Sequence, residues 1–160
     1  MIRSRSDRDR GVSISVTHVL TIGITTILIA MLLTSASTML ETESDHSAEE
    51  SLETIGERLA DEIRNVDQIG DANTTVNATV KHPRRAASSR YTVELESSCD
   101  APLIAPSTNT DCLKLTAHSA SAVVYVPIET DADLKGEATG GTIEIQYNSN
   151  GDISITEGSQ

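Results

Sequence analysis

Val12–Leu40 reads VSISVTHVLTIGITTILIAMLLTSASTML and holds no Lys, Arg, Asp or Glu. As a helix these 29 residues rise about 43 Å, enough to cross a hydrocarbon core of about 30 Å. The densest apolar part is Val16–Leu33. Core helices of soluble proteins are rarely uncharged for so long, so the segment reads as a transmembrane helix. Thr17, Thr21, Thr25 and Thr26 punctuate it. In lipid their hydroxyls can return to the helix's own carbonyls or bond to neighbouring helices, and Gly23 offers a place for close helix approach. His18 is ionisable and inside the span, which makes it a functional candidate. It lies seven residues beyond Gly11, so an interfacial or inter-helix contact is the expected role.

Charge is unequal across this span. Residues 1–11 (MIRSRSDRDRG) form a polar leader, expected to be unstructured, with Arg3, Arg5, Arg8 and Arg10 beside Asp7 and Asp9. Arg before the helix and acid after it place the amino terminus in the cytoplasm and everything beyond Leu40 outside the cell. The whole chain has net charge -12. Four of its 12 basic and two of its 24 acidic residues precede Val12, leaving 8 against 22, or -14, for the rest. Lys is confined to Lys81, Lys114 and Lys135, and there is no Phe or Trp. This composition resembles that of proteins from extreme halophiles. Residues 41–160 are expected to lose their fold by self-repulsion as molar salt is diluted, a loss that circular dichroism at low and high salt would follow. The same charge argues against nucleic acid as the main partner.

Three membrane readings of Val12–Leu40 compete. It is an uncleaved single-pass anchor, a secretory signal cut near Thr34-Ser35-Ala36-Ser37, or a signal cut ahead of the apolar stretch so that the helix stays on the mature protein. Asp9-Arg10-Gly11-Val12-Ser13, running straight into an apolar helix, resembles the amino-terminal signal of archaeal type IV pilins and pilin-like proteins, the haloarchaeal ones in particular. The resemblance covers roughly the first 40 residues. It implies cleavage by a prepilin peptidase between Gly11 and Val12. It also implies a helix that anchors in lipid and then packs with other pilin-like subunits. Ser13-Ile14 replaces the Pro such pilins often carry after the cut, and Val16 stands at the fifth mature position, where many bacterial pilins have Glu. The implied role is therefore an accessory or minor pilin, with adhesion among its possible uses.

Beyond the span, Glu41–His46 (ETESDH) reads as a polar joint, and Ser47-Ala48-Glu49-Glu50 as a capping box opening a second, juxtamembrane helix within 41–70. Ala48, Leu52, Ile55, Leu59, Ile63 and Val66 fall on one face, and Gly70 stops the helix. That stripe meets either a sheet of the same chain or a partner helix; the strands that follow need a cover, which favours the sheet. Residues 71–160 carry six strands by alternation: Thr74–Val80, Tyr91–Glu96, Leu113–Ala117, Ala122–Ile128, Thr142–Tyr147 and Asp152–Thr156. Ala122–Ile128, the most continuously apolar, is expected to be central. Asn148–Gly151 closes a hairpin. The expected fold is α+β: a long amino-terminal helix, then a small antiparallel meander outside the cell.

Chemistry is sparse. No nucleophile elbow or phosphate loop is present, and KGEATGG (Lys135–Gly141) reads as a loop. No cofactor, metal site or enzyme activity is expected. His18, His46, His82 and His118 are dispersed. Asp131 and Asp133 could take a cation, but among so many acids they read as a solvated loop. Cys99 and Cys112 close a 14-residue loop and, outside the cell, are expected to form a disulfide. Asn73-Thr74-Thr75 and Asn77-Ala78-Thr79 are glycosylation sequons at Asn73 and Asn77. Lys81-His82-Pro83-Arg84-Arg85, with Arg90, is the one basic cluster after the leader. It is either a strand-connecting turn whose charges meet nearby acids or a surface site for phosphate or a polyanion.

Overall fold

The computed structural model describes residues 6–71, 73–99 and 110–159, with side chains from residue 16 onward. One helix, α1, runs from Ser6 to Ile69. Seven strands follow: β1 (Val76–Lys81), β2 (Tyr91–Glu96), β3 (Asp111–Ala117), β4 (Val123–Ile128), β5 (Asp133–Thr139), β6 (Thr142–Tyr147) and β7 (Asp152–Glu157). The chain divides into two units, Met1–Thr42 and Glu43–Gln160. The layout is α+β, as expected from the sequence.

Two expectations about α1 fail. The expected joint at Glu41–His46 and the cap at Ser47 are helical, and so is the leader from Ser6 to Gly11. ETESDH contains neither Gly nor Pro, the residues that end helices, so nothing local opposes propagation from the apolar span. His46 and Glu50 instead face each other one turn apart, 3.6 Å between Nε2 and Oε1. The helix does stop at Ile69, and its last bond runs from Gly70 N–H to the Val66 carbonyl at 2.9 Å. Glycine serves there through close approach. A Cβ on Gly70 would lie 2.7 Å from the Tyr147 ring.

In the second unit the carboxy-terminal part of α1 covers one face of the sheet. Ala48, Leu52, Ile55, Leu59, Ile63 and Val66 are all buried, as their spacing requires. Ala60 and Gly56 join them. Gly56 marks a close crossing: a Cβ there would sit 2.7 Å from Val126 Cγ2 and 2.9 Å from Leu115 Cδ1. From the sheet come Tyr91, Val93 and Leu95 of β2, Leu113 and Leu115 of β3, and the isoleucine pairs of β6 and β7. With no Phe or Trp, the core is built from aliphatic side chains around Tyr91. The opposite sheet face carries Thr92, Glu94, Lys114, Thr116 and Glu144, in strict alternation with the buried set. On it Lys114 Nζ lies 2.8 Å from Glu96 Oε1 and 3.5 Å from Glu94 Oε2.

The strand order is β1-β6-β7-β5-β2-β3-β4. This is not the expected meander. β5 is an addition: KGEATGG (Lys135–Gly141) reads as a loop in the sequence, yet Asp133–Thr139 forms a strand in which only Leu134 and Ala138 are buried. β5 joins the two halves of the sheet. Its first part pairs in parallel with β7 (Leu134 opposite Ile153) and its last part antiparallel with β2 (Ala138 opposite Val93). The changeover is at Gly136, whose φ of +109° is unfavourable for any residue with a side chain. β4 proves to be an edge strand, paired only with β3, with Val123 46 % exposed. Its apolar run reflects the helix crossing on one face, not burial on both. The Asn148–Gly151 hairpin between β6 and β7 is as expected; Asn148 Oδ1 accepts from the N–H groups of Asn150 and Asp152.

Candidate functional site

Two surfaces of this chain differ from an ordinary solvated exterior. The first belongs to the amino-terminal unit. Between Val16 and Leu40 every large apolar side chain is at least half exposed, from Ile24 and Ile29 at 51 % to Met39 at 75 %. The hydroxyls of this stretch do not make a polar face. Thr21 donates to the Thr17 carbonyl (2.8 Å), Thr25 to Thr21 (2.7 Å), Thr26 to Ile22 (2.8 Å), Thr34 to Ala30 (2.9 Å) and Ser37 to Leu33 (3.0 Å). Each hydroxyl thereby satisfies its donor inside the helix, which lowers the cost of placing it in hydrocarbon. The helix is long and apolar enough to cross a membrane and is consistent with a single-pass anchor. Gly11 and Val12 lie within α1. His18 is exposed near the start of the described side chains.

The second surface is a groove of about 610 Å³ at one end of the sheet, lined by three loops. The β1–β2 loop supplies Arg84, Arg85 and Arg90; the turn after β3 supplies His118 and Ser119; the β5–β6 turn supplies Gly140 and Gly141; Glu157 closes the rim. These loops are tied down by backbone bonds. Ala86 and Ser89 exchange both N–H···O bonds (2.9 and 3.0 Å). Ser89, wholly buried, accepts from Ser119 N–H at 2.7 Å and donates to the Arg90 carbonyl at 2.9 Å. Tyr91 reaches across with its hydroxyl to the Pro83 carbonyl at 2.7 Å, and burial pushes its pKa up to about 12. His82 N–H donates to the Gly141 carbonyl, and His118 N–H to that of Arg90.

The basic cluster does form the turn between β1 and β2, and its Lys81 and His82 share a hollow with Asp61 and Glu62, but its arginines stand apart from acids. Among the described residues no carboxylate lies within ion-pair distance of Arg84, Arg85 or Arg90. Arg85 Nη1 instead holds the Ser88 carbonyl at 2.8 Å. The one acid at the rim, Glu157, accepts from Thr139 Oγ1 at 2.6 Å. Only the arginines of this site were visible in the sequence as a cluster. His118, Ser119, Gly140, Gly141 and Glu157 are brought in by strand order and carry no local signal.

The other sequence candidates are scattered. Cys99 and Cys112 are bonded as a disulfide, with Cα atoms 5.9 Å apart. Their sulfurs lie near Glu96, but a disulfide leaves no thiolate to hold a metal. Asn73 and Asn77 are both exposed, Asn77 on edge strand β1. Asp133 opens β5, and Asp131 rims a shallow acidic hollow with Asp67, Asp111 and Glu129. His46 is on α1, while His82 sits half-buried between α1 and β1.

Fold and surfaces together define a class: an α+β protein whose single amino-terminal helix is bare and apolar over one part and cover for a seven-stranded sheet over the other. The chain belongs to the family of unknown function DUF7266, whose family model matches residues 7–156. That match takes in the apolar helix and reaches all seven strands, ending one residue short of the end of β7. Neither the curated proteins nor the solved structures yielded a match.

Proposed function

We propose that this chain is a membrane-anchored, pilin-like surface protein with a structural or interaction role, an accessory subunit of a type IV pilus-like assembly. One observation carries the reading. The same helix exposes every large apolar side chain from Val16 to Leu40, with no Lys, Arg, Asp or Glu among them, and then buries a stripe from Ala48 to Val66 under the sheet. A helix so divided can sit in lipid or pack among like helices while displaying a folded head. The charge pattern puts the leader in the cytoplasm and the acidic head outside. Prepilin peptidase would cut between Gly11 and Val12. The groove at Arg84 and Arg90 favours a second reading, a single-pass anchored binding module that never enters a filament.

The mature amino terminus separates the two. Mass spectrometry of the protein from its native membrane is expected to find Val12 first. A start at Met1 or Ile2 favours the plain anchor and removes the pilin reading. A start near Ser37 would mean release without an anchor, and both readings would go.

A further inference from the structure

We propose that the arginine groove is a binding site for a compact anionic ligand bearing at least two closely spaced phosphate or sulfate groups. The proposal stands on the groove alone and does not depend on the pilin reading. Three guanidinium groups and one carboxylate line it, a local balance of +2 in a chain of net charge -12. Gathering like charges is unfavourable unless something neutralises them. From Val12 onward this chain has 22 acidic side chains, yet among the described residues none comes within ion-pair distance of Arg84, Arg85 or Arg90. The loops that carry them are nonetheless held by the Ala86–Ser89 pair, the buried Ser89 hydroxyl and the Tyr91–Pro83 bond. The cations are thus presented from an ordered frame.

The ligand class follows from the donors. Guanidinium forks bind phosphate and sulfate oxygens in pairs, and three of them call for more than one negative charge. A volume of 610 Å³ lies in the range of small-molecule sites and suits one or two sugar units or a diphosphate. The anionic remainder of the head repels a long phosphodiester chain, so a nucleic acid is not the fitting ligand. Ser119 and Thr142 add neutral hydroxyls at the edge of the same groove.

The test uses the full chain in detergent micelles, at the lowest salt at which circular dichroism shows the fold intact. Isothermal titration would compare inorganic pyrophosphate, a disulfated disaccharide and the neutral disaccharide. We expect saturable binding of at least one anion, none of the neutral sugar, and at least a tenfold loss in the Arg84→Ala, Arg90→Ala double variant. Pyrophosphate against sulfated sugar tells whether the site prefers phosphate or sulfate groups. A second measurement needs no variant: phenylglyoxal labelling of Arg84, Arg85 and Arg90 should be slowed by the bound anion while that of Arg58 and Arg64 is not. No saturable binding of either anion, or unchanged labelling, overturns the proposal. So does a dimer that forms without added anion and dissociates in the double variant, since the groove would then hold a second copy's acids.

Discussion

The division of α1 between two environments makes a prediction that can be worked through. Leu59 is fully buried against the sheet, whereas Leu28 is 55 % exposed. Truncating a buried leucine removes its transfer free energy and leaves a cavity, so Leu59→Ala should destabilise the Glu43–Gln160 unit by about 2–5 kcal/mol. Domains of this size have stabilities of about 5–15 kcal/mol, so the loss is a large fraction of the whole. It corresponds to a fall in Tm on the order of 10 °C or more. Leu28→Ala should change the same transition by less than about 0.5 kcal/mol, because its side chain has no folded neighbours to lose. The assay is thermal melting of the full chain in micelles, followed by near-ultraviolet circular dichroism of the tyrosines. Tyr91, buried at the start of β2 beneath the groove loops, reports on the sheet and not on the micelle-bound helix. Equal shifts for the two variants, or a larger one for Leu28→Ala, would refute the assignment of Ala48–Val66 as the cover of the sheet.

Other outcomes follow from the same structure. Gly136→Ala forces a side chain into φ +109° and against the Ile155 carbonyl, so it should cost about 1–3 kcal/mol or more in urea unfolding, and an unchanged midpoint would mean β5 does not turn there. Replacing Cys99 and Cys112 by Ser should cost about 3 kcal/mol, from the closure entropy of positions 13 apart, measured by the same unfolding. Burial holds the His82 pKa below 6.5, with Arg58 lowering it further and Glu62 opposing. Its Nε2 finds no hydrogen-bond partner among the described residues. The folded state therefore disfavours the charged ring: this contribution to stability is intact above pH 6.5 and is lost as pH falls through the depressed pKa. His82→Gln should flatten the fall in Tm between about pH 7 and 5, and an unaltered slope would place its origin elsewhere.

Much of the fold could be read from local pattern. The apolar stripe of α1, six of the seven strands and the Asn148–Gly151 hairpin are each written in spacings of a few residues, and all form. The misreadings share a cause. β5 has Leu134 and Ala138 as its only apolar residues, too weak a signal, and it becomes a strand because β7 and β2 lie on either side to accept its bonds. β4 looks central by hydropathy yet lies at the edge, since its burial comes from the helix at Gly56 and not from a second neighbouring strand. The joint at Glu41–His46 was inferred from polarity, but polarity without a breaker does not end a helix.

By itself the sequence determined that an uncharged helix precedes an acidic head, that a helical apolar stripe follows at Ala48–Val66, and where most strands begin. These are short-range properties, set by periodicity, charge and the few residues that stop a helix. Only the tertiary structure decided the strand order, the parallel pairing through Gly136, and the meeting of Arg84 and Arg90 with His118, Gly140 and Glu157. Those depend on which strand edges find each other across dozens of residues, and backbone hydrogen bonds, alike at every position, carry no address in the local sequence.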